Sequence, residues 1–249
     1  MTATPPLTVS IVIPVKDDAA VLIACLRALS LQSQRMLEII VVDNGSTDAS
    51  ALVATRAGAV VIPELKRGIA AASGTGYDAA RGDIIARVDA DTVVPADWIE
   101  TVMKEFDRRP DVDAVTGGAY FLDGPTWLRR PAALVYLGAY FFFAGLALSH
   151  VPVFGSNLAM RRQAWVDVRD EVHASEAVHD DFDLSYHLGR RHRIRFLVRL
   201  RPGISMRPLF DGKGRLRMRR GLHSVVLHWP EELPLLRFLR RLALRTQMR

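Results

Sequence analysis

Residues 83–91 read DIIARVDAD. A short apolar run rich in β-branched residues stops at two aspartates that flank one small residue. Residues 83–89 are therefore expected to form a buried strand that delivers Asp89-Ala90-Asp91 at its carboxyl end. Three similar runs precede it: residues 8–14 (TVSIVIP), 37–43 (LEIIVVD) and 59–62 (AVVI). Pro14, the turn cluster Asn44-Gly45-Ser46-Thr47-Asp48 and Pro63 end them. Between the runs lie helical segments. Asp17 and Asp18 can cap AAVLIACLRALSLQS, where Val21, Leu22, Cys25, Leu26 and Leu29 recur at helical spacing. A short helix precedes the third strand, and the Ala-rich residues 69–80 precede the fourth. This alternation predicts an α/β fold, a Rossmann-like mostly parallel sheet flanked by helices. Ligands of such sheets sit beyond the carboxyl ends of the strands. Three of the four ends carry polar groups there: Lys16-Asp17, Asp43-Asn44 and Asp89-Ala90-Asp91.

Beyond Pro95 a helix is expected over 96–108, an extended stretch over 112–122, a strand over 151–160 around Gly155, and a helix over 181–189 begun by Asp180 or Asp181. Neither a repeat nor a low-complexity linker interrupts the chain. The expected organisation is one domain over 1–249: a nucleotide-binding half (1–94), an acceptor and catalytic half (95–200) and a basic C-terminal extension (201–249).

The composition, 49% hydrophobic and 24% charged, is that of an ordinary globular chain and argues against long disorder. One cysteine, Cys25, excludes an internal disulfide framework and a Cys-based zinc site, and fits a reducing compartment. The N-terminal MTATPPLTVS has no basic and then apolar signal pattern, so a cytoplasmic location is expected. The net charge of +6 hides an asymmetry: residues 190–249 carry a net +14 and residues 1–189 a net −8. Such a basic quarter suits an anionic partner, and solvated helix faces are the competing reading.

Asp89 and Asp91 can share a hard cation such as Mg²⁺ or Mn²⁺ beside a diphosphate, or they can simply shape a turn. Asp43 can accept hydrogen bonds from a base or ribose, or close its strand as an Asx-turn. In His179-Asp180-Asp181-Phe182-Asp183-Leu184, one carboxylate could be a general base that a helix N-terminus keeps ionised. His179 with these aspartates is a weaker metal candidate, because the segment shows no second histidine at metal-motif spacing. Asn157, in Phe154-Gly155-Ser156-Asn157, could bind sugar hydroxyls or position a loop. Gly74-Thr75-Gly76-Tyr77-Asp78-Ala79 matches a dinucleotide fingerprint in letters only, since it does not directly follow a strand.

Taken together, five ordered segments over roughly residues 8–200 resemble the family 2 glycosyltransferases, which have the GT-A fold. VSIVIPVKDD resembles their first strand and nucleotide-binding turn, and EIIVVDNGSTD their second strand. RGIAAASGTGYDAARGDIIARVDADT, which begins around Gly68, resembles the approach to their DxD motif. FGSNLAMRR resembles their acceptor-side turn, and DDFDLSYHLGRR the segment holding their catalytic base. The resemblance implies an inverting transfer of a sugar from a nucleotide-sugar donor to a hydroxyl acceptor, with a divalent metal. By the same resemblance, Asp181 would be the base. Pro14, Val15, Lys16, Asp43 and Gly68 would hold the nucleotide. Asp89, Ala90 and Asp91 would hold ribose, metal and diphosphate, with Asp89 and Asp91 on the metal, while Gly155, Ser156, Asn157 and Asp180 would face the acceptor. Three positions depart from the family: Asp180 stands where Glu is usual, Ser73-Gly74 where an Arg-Asn pair is common, and Asp17 where an aromatic residue or Asn is found.

Two other functions fit less well. A nucleotidyltransferase would need a Gly-rich basic loop after the first strand, which PVKDDAAVLIA lacks. A non-catalytic module leaves the acidic strand ends without a role, and no zinc-finger or helix-turn-helix signature supports nucleic acid as its partner. Residues 131–149 carry no charged side chain. Spanning a bilayer would separate Asp91 from Asp181, so a buried or interfacial helix beside the acceptor site is expected. With the basic C-terminal region, this is consistent with peripheral contact at the inner membrane face and a lipid-linked or cell-envelope glycan acceptor. A core or dimer helix is the competing reading.

Overall fold

The computed structural model describes residues 6–212, 214–229 and 233. Strand β1 (Val9–Val15) is buried on both faces along its whole length. Its odd-numbered Val9, Ile11 and Ile13 pack with Leu22, Cys25, Leu26 and Leu29 of α1 (Ala19–Ser30) and with Trp98, Ile99, Val102 and Phe106 of α4 (Trp98–Arg108). Val12 faces the opposite layer, with Ala72 and Tyr77 of α3 (Ile69–Ala79) and Leu184 and Leu188 of α7 (Asp180–Arg191). This period-2 division makes β1 the centre of a three-layer sandwich.

β2 (Glu38–Asp43) and β4 (Ile84–Arg87) flank β1 in parallel, and β3 (Val60–Pro63) follows β2, reached through α2 (Ser50–Arg56). All four parallel strands are those the sequence predicts, within two residues at each end. Pro14 is the exception to its expected role. It lies inside β1, opposite Val42, and the strand runs on to Val15. Asp18 occupies the cap position of α1 without capping it. The loop is tied instead by Asp48, which accepts the Ala19 N–H at 2.9 Å, and by Ser50, which accepts the Asp18 N–H at 3.1 Å.

The second half completes a seven-stranded sheet of order β3-β2-β1-β4-β7-β5-β8, with β5 (Ala114–Thr116), β7 (Leu158–Arg161) and β8 (Ile194–Phe196). β7 runs antiparallel to β4 and β5, while β5 and β8 are parallel. The pairing Arg87↔Leu158 places a single 3₁₀ turn, Gly155–Asn157, directly beyond the carboxyl end of β4. The strand expected over 151–160 is thus confined to its last residues. Upstream, side chains satisfy the backbone in place of a ladder: Ser185 Oγ accepts the Val153 N–H at 2.8 Å, and Thr116 Oγ1 the Phe154 N–H at 3.1 Å.

A two-stranded sheet joins β6 (Tyr120–Phe121) to β9 (Gly203–Ile204). The uncharged run forms most of α5 (Thr126–Leu148), with Pro131 inside it. Short α6 (Arg162–Val166) follows β7, and α8 (Arg207–Phe210) and α9 (Gly214–Leu227) end the described chain. β9 pairs with β6 and α9 packs on α7, so the described residues of this segment lie against the earlier elements. The remainder of the proposed C-terminal extension, apart from Leu233, lies outside the described residues.

Candidate active site

The carboxyl ends of β1, β2 and β4 open into a cleft of about 350 Å³ whose lining includes Pro14, Val15, Lys16, Gly68, Ala90 and Asp91. A second cleft of about 280 Å³ shares Asp89 and Asp91 with it and extends past Asp180, Asp181 and Ser156. The structure therefore brings the two halves of the predicted site together.

Arg87 joins them. Its side chain is 2% exposed. It donates to Asp180 Oδ2 at 2.7 Å, Asp89 Oδ1 at 3.0 Å and Asp181 Oδ1 at 3.3 Å. Burial opposes its charge, but Tyr77 and the three carboxylates outweigh burial and hold it cationic. Sequence reasoning missed this residue. The available signal was a single charge within a strand expected to be buried on both faces, where an unpaired charge would be very costly.

Asp181 is buried at the first turn of α7. Its Oδ2 accepts the Gly155 N–H at 2.8 Å. Burial, and then the Asp180 charge, push its carboxyl well above the usual range against the pull of Arg87. Desolvation and a like charge thus act against the helix N-terminus that was expected to favour the ionised form. Burial acts the same way on Asp180, but there Arg87 prevails and holds the carboxyl low. Gly155 is required by close approach, since a Cβ there would overlap Asp181 Oδ1 and the Arg87 guanidinium.

Asp89 is held on both sides, by Arg87 at Oδ1 and by the Ser156 hydroxyl at Oδ2. Asp91 Oδ2 accepts from Arg207 at 3.1 Å, and Arg207 also pairs with Asp18. Burial and the Asp89 charge push Asp91 up to about 6. For a divalent cation, Asp89 and Asp91 supply the oxygen ligands such an ion prefers. Asp91 is the more available ligand, whereas Asp89 has both oxygens engaged.

Two predicted residues stand differently. Asn157 is fully buried and saturated: Oδ1 accepts from Trp98 Nε1 at 2.9 Å, and Nδ2 donates to Gly118 O and Leu200 O, each at 2.9 Å. Acceptor binding by Asn157 is thereby corrected to the positioning of the turn that presents Gly155 and Ser156. Asp43 lies at the end of β2 with Oδ1 accepting the Ser46 N–H at 3.0 Å, and its neighbour Asn44 lines the cleft instead. Asn44 stands among the polar strand ends noted in the sequence, without a ligand role assigned to it. Its side-chain oxygen accepts the Gly68 N–H at 2.8 Å and its amide holds Glu64 O and Lys66 O. Gly68 itself has φ +121°, a region that strongly favours glycine.

The chain matches the model of glycosyl transferase family 2 over residues 10–169. It is similar to glycosyltransferase GlyG of Streptococcus pneumoniae, 32% identical over 121 residues that cover 46% of this chain and 40% of that protein. It is 30% identical over 133 residues to the putative glycosyltransferase EpsH of Bacillus subtilis, which cover 51% of this chain and 39% of that one. The chain thus matches about two fifths of the length of these relatives. Its fold is similar to that of the mannosyltransferase PcManGT from Pyrobaculum calidifontis in complex with GDP-Man and Mn²⁺. There the TM-score is 0.70 at 20% identity, over 95% of this chain and 69% of that one. It is likewise similar to glucosyl-3-phosphoglycerate synthase from Mycobacterium tuberculosis with Mn²⁺, UDP and glucosyl-3-phosphoglycerate. That TM-score is 0.65 at 21% identity, over 89% and 79% of the two chains.

Proposed function

The chain belongs to glycosyltransferase family 2, and from that premise we propose that it transfers a sugar from a nucleotide-sugar donor to an acceptor hydroxyl with inversion. One observation carries the reading: the Asp89 end of the donor cleft and the buried Asp181 meet on a single guanidinium, Arg87. Residues 1–94 hold the donor and the rest of the domain presents the acceptor.

In this reading Pro14, Val15, Lys16 and Gly68, with Asn44 in the place expected for Asp43, hold the nucleotide, and Asp89-Ala90-Asp91 faces ribose and diphosphate. Asp91, with Asp89, would hold Mn²⁺ or Mg²⁺, whose charge neutralises the departing diphosphate. Arg220 lines both clefts and adds positive charge beside the same group. Asp181 takes the proton of the acceptor hydroxyl. The freed oxygen bonds to the anomeric carbon as the bond to the diphosphate breaks, and the electron pair leaves with the diphosphate. A raised carboxyl suits this step, because a base works best with a proton affinity near the operating pH. The Gly155 N–H and Arg87 hold Asp181 in place, and Ser156 fixes Asp89. Asp180 supports Arg87 at the acceptor side.

We assign a lipid-linked acceptor on the cytoplasmic face of a membrane. A groove of about 950 Å³ meets the catalytic cleft at Leu137. Ala133, Leu134, Phe141 and Phe196 line it, and Arg130 and Arg201 supply cationic groups. α5 is long and apolar enough to cross a membrane, yet only 22% of its most apolar window is buried. Trp127, Leu134, Phe142 and Phe143 stand exposed on it, which supports peripheral contact over a core helix. Co-flotation with anionic vesicles that is lost in α5 variants Phe142→Ser/Phe143→Ser supports this contact, and no flotation at low salt refutes it.

The test of function is release of nucleoside diphosphate from a panel of nucleotide sugars with and without Mn²⁺. Asp181→Asn is expected to lower turnover by about 10²–10⁴-fold while donor-induced thermal stabilisation persists. Unchanged turnover in that variant refutes the base assignment.

A further inference from the structure

Asp183 lies two residues beyond Asp181, turned about 200° around the same helix, and is fully buried away from the clefts. Its Oδ1 is 2.9 Å from His173 Nδ1, 2.9 Å from His228 Nε2 and 3.8 Å from His187 Nε2. Its Oδ2 accepts the His173 backbone N–H at 2.7 Å. One ligand atom from each of the four residues lies within 4.8 Å of all the others. The contributors come from three separate segments: the loop before α7, α7 itself at an i,i+4 spacing, and the end of α9.

Hydrogen bonding alone leaves the cluster unfinished. His187 is 5% exposed, and among the described residues neither of its ring nitrogens has an aligned hydrogen-bond partner. A buried imidazole in that state needs a physical explanation. A metal ion supplies one. For Zn–N bonds of about 2.0 Å, the ligand atoms of a tetrahedral site lie about 3.3 Å apart; the Asp183 Oδ1 separations of 2.9 and 3.8 Å bracket that edge, and the other pairs lie within 4.8 Å. Supporting groups are also in place. Glu171 Oε2 lies 3.4 Å from His187 Nδ1, poised to orient the ring with Nε2 toward the ion. The Tyr186 ring stacks on His228 at 3.7 Å.

We propose that His173, Asp183, His187 and His228 form a closed four-ligand site for a zinc-class divalent ion, fastening α9 to α7. Three imidazoles and one carboxylate favour Zn²⁺ over Mg²⁺ or Mn²⁺. The ion is thus chemically distinct from the cation assigned to the all-oxygen Asp89/Asp91 pair. Its consequence is mechanical. α9 carries Arg217 and Arg220 to the cleft wall, and its Ser224 Oγ accepts the His179 N–H at 2.8 Å where α7 begins. Fixing the end of α9 fixes that wall. The site does not depend on the glycosyl-transfer reading.

The experiment is metal analysis of the full-length protein, stripped with chelator, reloaded with equimolar Zn²⁺ and desalted, together with the visible spectrum after Co²⁺ loading. One zinc per chain and an intense tetrahedral Co²⁺ band are expected. His187→Ala should abolish both. His173→Ala, at a half-exposed position that tolerates truncation, should weaken zinc at least about tenfold while the far-ultraviolet spectrum stays native. Asp91→Asn should retain full zinc stoichiometry. No retained zinc in the wild-type protein, or zinc kept by both histidine variants and lost in Asp91→Asn, overturns the proposal.

Discussion

Arg87→Met removes the one cation that the three carboxylates share while keeping most of the side-chain volume. Arg87 is 2% exposed, and Asp180 and Asp181 are 14% and 9% exposed at their side chains, so solvent does little to screen the loss. Removing one partner of a buried ion pair costs about 3–5 kcal/mol, because the remaining charge stays desolvated. For a chain of this size that corresponds to a fall in Tm of about 6–20 °C at neutral pH. The pH dependence fixes the cause. In the native protein the Asp180 carboxyl is held low, against burial, by Arg87. Its stabilising contribution is present above the unfolded carboxylate pKa of about 4 and is lost as pH falls below it. In the variant Asp180 joins Asp181 as a raised group, so the folded variant binds protons more tightly than its unfolded chain. A raised acid destabilises as pH climbs through it, and the variant therefore recovers on acidification. Thermal unfolding of both proteins at pH 7.5 and 5.0 should show a Tm gap that narrows at the lower pH. Adding Asp180→Asn to Arg87→Met should restore part of the loss. A gap below about 3 °C at pH 7.5, or one that stays constant or widens at pH 5.0, refutes the picture of Arg87 as the shared counter-charge.

Gly155→Ala should cut turnover by about 100-fold, because an added methyl displaces Asp181 and Arg87 together, and a steady-state assay would show it in kcat more than in donor KM. Asn157→Ala strands Trp98 Nε1 and two backbone carbonyls and should cost about 3 kcal/mol in denaturant unfolding, where an unchanged midpoint would restore a direct acceptor role. Burial, with Asp91 and Asp89 adding to it, pushes the Cys25 thiol far up, so a disulfide reagent should leave native protein unlabelled and titrate one thiol per chain in denaturant.

The parallel half of the fold was legible because its signal is local: four short β-branched runs, each punctuated where the chain must turn. The reversal at β7 carries no such signal. FGSNLAMRR is equally compatible with either direction, and only the pairing of Met160 with Ile85 and Ala114 decides it. At the site, sequence order singled out Asp89, Asp91 and Asp181, which line one cleft, and Gly155, whose N–H Asp181 accepts, since each belongs to a segment with a recognisable pattern. It misplaced Asn157, whose amide looks the same in a sequence whether it faces a sugar or a buried carbonyl. It passed over Arg87, although one charge inside a strand expected to be buried is itself a signal, because nothing in the sequence shows which distant carboxylates meet it. The histidine cluster was invisible for a related reason. Asp183 and His187 share one helix turn, but His173 and His228 lie ten residues before and 45 residues beyond Asp183, and no periodicity links such distances.

Arg87 also changes how the two ends of the site relate. Under the proposed function Asp89 serves the donor and Asp181 the acceptor, and both draw on the same guanidinium at 3.0 and 3.3 Å. The Asp181 carboxyl is raised by burial and by Asp180, with Asp89 adding to the effect. Positive charge brought to Asp89 or Asp91 reduces the negative field at Asp181, and any share of Arg87 released by Asp89 becomes available to Asp180 and Asp181. Both changes lower the proton affinity of Asp181. If Asp181 is the base, as we propose, a cation in the donor cleft would favour its ionised form. The donor-side and acceptor-side roles proposed above would then be coupled through Arg87. The coupling would follow from where β4 ends, four residues before Asp91 and beside the Gly155–Asn157 turn.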